Sequence, residues 1–371
     1  MFEKQRQEAG DYSQQIQATT VILNKGIDEK RAREIVDEKL HEVINGYSRE
    51  AHAIAESRIQ LFANDLIPKL VKASLLDELK DPSIQILLSD AQKTAASTER
   101  HKDYALLSEL LLHRIKKGND RNVRAGISRA VAIVDEISDE ALLGLTVAHS
   151  VSNLAPATGY IEDGISTLVN IYNKVIYNIL PSGDAWLEHL DILDALRITQ
   201  FGSLKKIDQY YAEQFSGYID VGIDKTTDDF QKALEFVKES KLPADILCDH
   251  ELRSGYARLR LRNIAQLDSI TIHSIQQVNL NGQIVSSLVQ SKLSDEQKQT
   301  AKNIYALYSK ESNLRDDNVA EFFKLWDTYT SLKKLRNWWD SIPGSFTLTA
   351  VGRVLAHANA QRCCPTLPAL D

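Results

Sequence analysis

Proline is scarce in this chain: eight occur in 371 residues, and two of them, Pro365 and Pro368, fall in the last seven. Proline removes a backbone donor and clashes with the preceding turn, so its rarity leaves room for long helices. Cysteine is scarcer still. Cys248, Cys363 and Cys364 are an odd set that cannot pair fully within one chain, and two adjacent cysteines make a poor structural bridge. Reduced thiols, and hence a cytoplasmic location, are the expectation. No window approaches the roughly 18 apolar residues of a membrane span, so none is expected. The opening MFEKQRQEAGDYSQQ lacks the apolar centre of a signal peptide. Positive charge is not in excess either: 44 basic against 51 acidic side chains give a net charge of −7. Phosphate neutralisation carries most of the affinity for duplex nucleic acid, so a broad nucleic-acid-gripping surface is disfavoured and only a local patch is left open.

The usual signatures of chemistry are missing as well. There is no phosphate loop of the Walker type, no G-x-G-x-x-G after a strand, no H-E-x-x-H and no paired C-x-x-C. No catalytic residue, metal site or cofactor is assigned on this basis. Cys248, Asp249, His250 and His273 are ligand-type residues, but their spacing matches no standard zinc site. Asp37-Glu38-Lys39 lies on the polar face of an amphipathic helix, where a solvated charged surface is the simpler account.

What is present favours helix. Hydrophobic residues make up 43% and charged residues 26%, an ordinary globular balance. The expected fold is mainly α: a multi-helix array or bundle with a short N-terminal β-strand and a small β element in the C-terminal third. Residues 1–25 read as an extended leader, because YSQQIQATTVIL is rich in β-branched and amide side chains. From Asp28 the apolar spacing turns helical, with Ala32, Ile35, Val36, Leu40, Val43 and Ile44 on one stripe. Ser48 starts the next helix, which Pro68 is expected to kink or end. Further helices are expected at about 82–98, 101–117, 121–137, 161–180, 184–198, 203–219, 226–240, 294–311 and 316–340. Ser138 and Thr349 read as helix caps. Pro156, Gly159 and Pro243 mark boundaries, giving an N-terminal helical domain at 26–155, a middle region at 156–243 and a C-terminal region at 244–371. Within the last, YARLRLRN and SITIHSIQQVNL mix helical and β character, and Asn281-Gly282 would make the turn of a β-hairpin.

Three groups of residues are candidates for function. A lone strand cannot satisfy its own backbone, so the leader is expected to pair with copies of itself through Asp11, Ser13, Ile16, Gln17, Val21 and Ile22. Arg253, Arg258, Arg260 and Arg262 form a dense basic stretch; on a strand the last three would share a face and could contact an anionic ligand. Trp338 and Trp339 are adjacent and are not expected to face one core together, which places one of them at an interface.

Two motifs carry a resemblance. Gly10 to Ala18 resembles the G-D-x-S-x-x-I-Q-A opening of an uncharacterised bacterial helical family, and Gly26-Ile27 through Arg33-Glu34-Ile35 resembles the G-[IL]-x-x-x-x-[AV]-R-E-I pattern that follows it there. Leu348-Thr349-Ala350-Val351-Gly352 through Ala356, Ala358 and Asn359 resembles that family's L-T-x-V-G-x-x-x-A-x-A-N close. The resemblance implies no reaction and transfers no site residues. Leaders of this kind resemble assembly tags on proteins of anti-phage systems. The leading expectation is therefore a non-enzymatic, self-associating sensor or scaffold of bacterial anti-phage defence with a protein partner. The alternatives are a nucleic-acid-binding regulator using Arg253–Arg262 and the C-terminal region, and an effector enzyme with a dispersed site.

Overall fold

The computed structural model describes residues 26–45, 48–117, 120–199, 201–280, 283–368 and 370. The leader residues Asp11, Ser13, Ile16, Gln17, Val21 and Ile22 lie outside them. The chain is mainly α-helical. Its order is α1 (Glu29–Ile44), α2 (Arg49–Lys72), α3 (Pro82–Ser97), α4 (His101–Lys117), α5 (Arg121–Ala132), α6 (Asp139–Asn153), α7 (Ile161–Val175), α8 (Ala185–Ile192), β1 (Leu196–Thr199), α9 (Ile207–Gln214) and α10 (Ser216–Ile219). Then follow β2 (Ile223–Asp224), α11 (Asp228–Glu239), β3 (Leu247–Asp249), β4 (Tyr256–Leu259), β5 (Thr271–Leu280), β6 (Gln283–Lys292) and α12 (Asp295–Ala306). The last elements are α13 (Ser312–Asp327), α14 (Thr330–Ser341), β7 (Ser345–Leu348) and α15 (Ala350–Cys363). Among the described residues no helix is long and apolar enough to cross a membrane.

Local chemistry explains most boundaries. Side chains of Asp28, Ser48, Asp120, Ser138 and Thr349 each accept an N–H from the first turn of the helix they precede. Ser294 and Gln297 close a full capping box on α12. Pro68 neither ends nor splits α2, which runs on to Lys72. The helix expected over 184–198 stops at Ile192. Residues 196–199 instead form β1, whose partner β7 lies about 150 residues later, with Leu196 opposite Leu348 and Thr199 opposite Ser345. The helix expected over 316–340 is broken around Tyr329, and the one over 203–219 is broken at Phe215. The β element of the C-terminal third is the antiparallel pair β5–β6, in a register that sets Leu280 opposite Gln283.

The cores divide the chain differently from the proline and glycine punctuation. One large core draws on helices from α1 to α10 and again on α13 to α15. A second, smaller core is built from residues between Ile223 and Tyr308, around β2, β3, β4, α11 and α12. The expected boundaries at 155/156 and 243/244 therefore do not follow the cores; the chain leaves the helical body near 220 and returns near 310. Pro156 and Pro243 mark turns, but the apolar stripes on both sides of Pro156 pack into one core.

The return is completed by α15, which packs against α4, α5, α6 and α7. Its start is fixed by the L-T-x-V-G segment. The Thr349 N–H donates to the Ala195 carbonyl at 3.2 Å, and its hydroxyl donates to the Asp194 carbonyl at 2.6 Å. Gly352 lies so close that a Cβ there would overlap the Ala195 carbonyl oxygen. A side chain at 352 must push α15 off its seat. Gly352→Ala should destabilise the protein by about 3 kcal/mol, the upper range for overpacking a tight contact. Urea unfolding measures this, with Gly183→Ala, where a Cβ meets open space at positive φ, as a milder backbone control.

Candidate functional site

The arginine stretch sits where the large core meets the smaller one built between Ile223 and Tyr308. β4 is the middle strand of a three-stranded sheet in the order β2-β4-β3, and its strand character ends at Leu259. The chain then folds back on the helical body. The Gly217 N–H donates to the Arg262 carbonyl at 2.8 Å, and a Cβ at Gly217 would overlap the carbonyl of Leu261. This close approach holds residues 260–262 against α10.

The four guanidinium groups then have different fates. Arg258 is fully buried. Its Nε donates to Glu251 Oε2 and its Nη2 to Glu251 Oε1, both at 2.8 Å. Its remaining bonds go to the carbonyls of Gly159, Gly217 and Leu259. Glu251 also accepts the N–H of Ile161, at the start of α7. A buried cation is tolerable only when paired and hydrogen-bonded in this way. Arg253 donates to Asn318 Oδ1 at 2.9 Å and to the Leu314 carbonyl at 2.7 Å, stitching the loop before β4 to α13. The expectation that these two contact an anionic ligand is corrected: both are committed to structure, Arg258 by Glu251, seven residues before it, and Arg253 by α13.

Arg260 and Arg262 are among the residues lining a cleft of about 660 Å³ between the 155–160 loop and the segment 260–271. Arg260 pairs with Asp245 and donates to the Tyr160 hydroxyl at 3.0 Å. Arg262 is 9% exposed, lies over the Phe215 ring at 5.8 Å and gives its Nε to Gln266 Oε1 at 2.9 Å. Among the described residues no carboxylate pairs with it. Thr158, Asn263, Gln266 and Ser269 supply further polar groups to the cleft.

Trp338 and Trp339 are both buried, at 7% and 5% exposed, so neither is available as an interface residue. The expectation that adjacent tryptophans cannot both be covered fails because α14 is flanked on two sides. The Trp338 indole donates to the Pro181 carbonyl at 2.8 Å and packs near Trp186, while that of Trp339 donates to the Lys205 carbonyl at 2.9 Å and packs near Tyr210.

A second polar constellation had no counterpart among the residues singled out from sequence. His149, in the apolar run of α6, and His357 of α15 are buried and joined Nε2 to Nδ1 at 3.1 Å. Asn153 Nδ2 donates to His149 Nδ1 at 3.1 Å, and His357 Nε2 donates to the Pro368 carbonyl at 2.9 Å. The set is consistent only with neutral rings, each donating from Nε2. His113 of α4 bonds Gln361 beside it. The available signal was a histidine with an amide four residues on, set in otherwise apolar helices: His149 with Asn153, and His357 with Gln361. Burial, with a smaller contribution from His357, lowers the His149 pKa to about 3. Burial likewise lowers that of His250 to about 4, where Nδ1 accepts the Leu252 N–H and Nε2 bonds the Asp220 carbonyl. Among the described residues no group of three His, Cys, Asp or Glu side chains is placed to hold a metal ion.

A family model matches residues 26–369, nearly all of the described chain, and its description names no activity. The chain belongs to that family. No curated protein and no solved structure matches it. Both the Gly26–Ile35 stretch and the Leu348–Gly352 segment lie inside the matched residues, whereas the Gly10–Ala18 stretch precedes them.

The histidine chain makes stability depend on acid in a defined direction. The unfolded chain protonates His149 near pH 6.5 while the folded one resists until about pH 3. Between those values the unfolded state binds more protons, so stability falls as pH drops. His149→Gln should flatten the stability profile between pH 6 and 4 by about 1.4 kcal/mol per pH unit, one proton's worth. Urea unfolding across that range checks it; an unchanged slope would show that His149 titrates normally.

Proposed function

We propose that this protein is a non-enzymatic, cytoplasmic helical component of bacterial anti-phage defence, which self-associates through residues 10–24 and senses or scaffolds through its helical body. The observation that carries the sensing half is Arg262, an almost buried cation with no counter-ion among the described residues, beside a polar cleft. A binding body accounts for such a group better than a purely structural one, because an unpaired buried charge costs stability. The assembly half rests on the amide-rich, β-branched leader and on its likeness to assembly tags. An exposed strand of that composition extends a sheet across identical subunits.

The nucleic-acid reading is weaker than the sequence made it. It draws on four guanidinium groups in one patch, and two of them, Arg253 and Arg258, are bonded to the protein itself. An overall charge of −7 does not compensate.

Light scattering on the full chain and on one lacking residues 1–25 tests the assembly half. The full chain should run as an oligomer and the truncated one at monomer mass, with unchanged far-ultraviolet circular dichroism. Equal masses for the two would refute self-association through the leader.

A further inference from the structure

We propose that the cleft between the 155–160 loop and residues 260–271 is a binding site for a small polar anion, a phosphate- or carboxylate-bearing molecule, with Arg262 as its receptor. This rests on the sensing half of the function proposed above and gives it a ligand class.

Of the arginines in the stretch, Arg258 and Arg260 are neutralised by Glu251 and Asp245, and Arg253 is bonded to α13. Arg262 differs. Gln266 occupies only its Nε, and neither terminal nitrogen has a hydrogen-bond partner among the described residues. Aromatic support from Phe215 holds the guanidinium plane in place without cancelling its charge. Burial lowers its pKa, and only the tyrosines 218 and 211 act in the other direction, so no acid offsets the lost hydration. Asp245, the carboxylate in the cleft wall, is already balanced by Arg260. The uncompensated charge of the cleft is therefore that of Arg262.

The free fork of an arginine matches the paired oxygens of a carboxylate or phosphate. Elsewhere in the lining, Thr158, Asn263, Gln266 and Ser269 offer both donors and acceptors, which suits a hydroxyl- or amide-bearing body more than an apolar one. The volume of about 660 Å³ falls within the range of small-molecule pockets, about 300–1,000 Å³. The floor is rigid, because the Arg258–Glu251 pair and the Gly217–Arg262 backbone bond fix residues 258–262 to the helical body. A receptor held so firmly loses little freedom on binding.

The test is thermal unfolding of the full chain with inorganic phosphate or with citrate, against chloride at matched ionic strength. Wild type should show a saturable rise in Tm with at least one of the two anions. Phosphate alone points to a phosphoester ligand, citrate alone to a carboxylate. Arg262→Met should fold with a Tm at or above that of wild type, since it removes a charge without a partner, and should weaken the apparent affinity at least tenfold. Arg262→Lys, which keeps the charge but loses the fork, should weaken it severalfold and covers the case in which the methionine variant does not fold. No rise beyond chloride in wild type, or an equal rise in the folded Arg262 variants, overturns the site. If the anions fail while truncation of residues 1–25 still dissociates the oligomer, this inference falls and the assembly reading stands.

Discussion

The structure depends on seating the last helix of the chain in the middle of the helical body. α15 is made of small residues along much of its length, and its N-terminal turn rests on the backbone of Ala195 with nothing between but the hydrogens of Gly352. Thr349 caps the helix and bonds the same stretch of chain, while β7 zips onto β1 immediately before it. Residues about 150 apart are thereby joined at one point. The entropy of closing so long a loop must be offset by the apolar surface that α15 covers on α4, α5 and α6. The segment from Leu348 to Gly352 thus docks the last helix onto the Asp194-Ala195 backbone.

The same logic places the cleft. The chain leaves the helical body after α10, builds the small sheet and its helices, and must be tied back where the two cores touch. Arg258 and Glu251 do this inside the protein, gathering the 159–161 loop, α10 and β4 about one ion pair. Charge satisfied there is charge withdrawn from any ligand. Arg262, four residues on, lies past the end of the strand and, among the described residues, pairs with no acid, so of the four guanidinium groups in the stretch its charge is left over.

Much of the fold was legible because it is written in local chemistry. The caps at Ser48, Ser138 and Thr349 and the amphipathic stripe of α1 declare themselves in a few residues. What was not legible depends on distant partners. β1 is four residues, LRIT, that take strand form only because β7 arrives to pair with them. The two adjacent tryptophans are both covered because α14 is flanked on two sides, which no local rule foresees. The arginines were found, but their division into structural and available groups turns on Glu251 and Asp245, whose pairing is a tertiary fact. The histidine chain was overlooked because a single histidine in an apolar helix looks like an isolated core residue until its partner on α15 is known.

The most direct test of the organising role of α15 is amide hydrogen exchange resolved along the chain. If its seating holds the body together, the amides of residues 354–363 should be as slow to exchange as those of α4 and α6, opening only with global unfolding. Fast exchange of α15 while α4 and α6 stay protected would show that the body stands without it, and would contradict a central role for the Gly352–Ala195 contact.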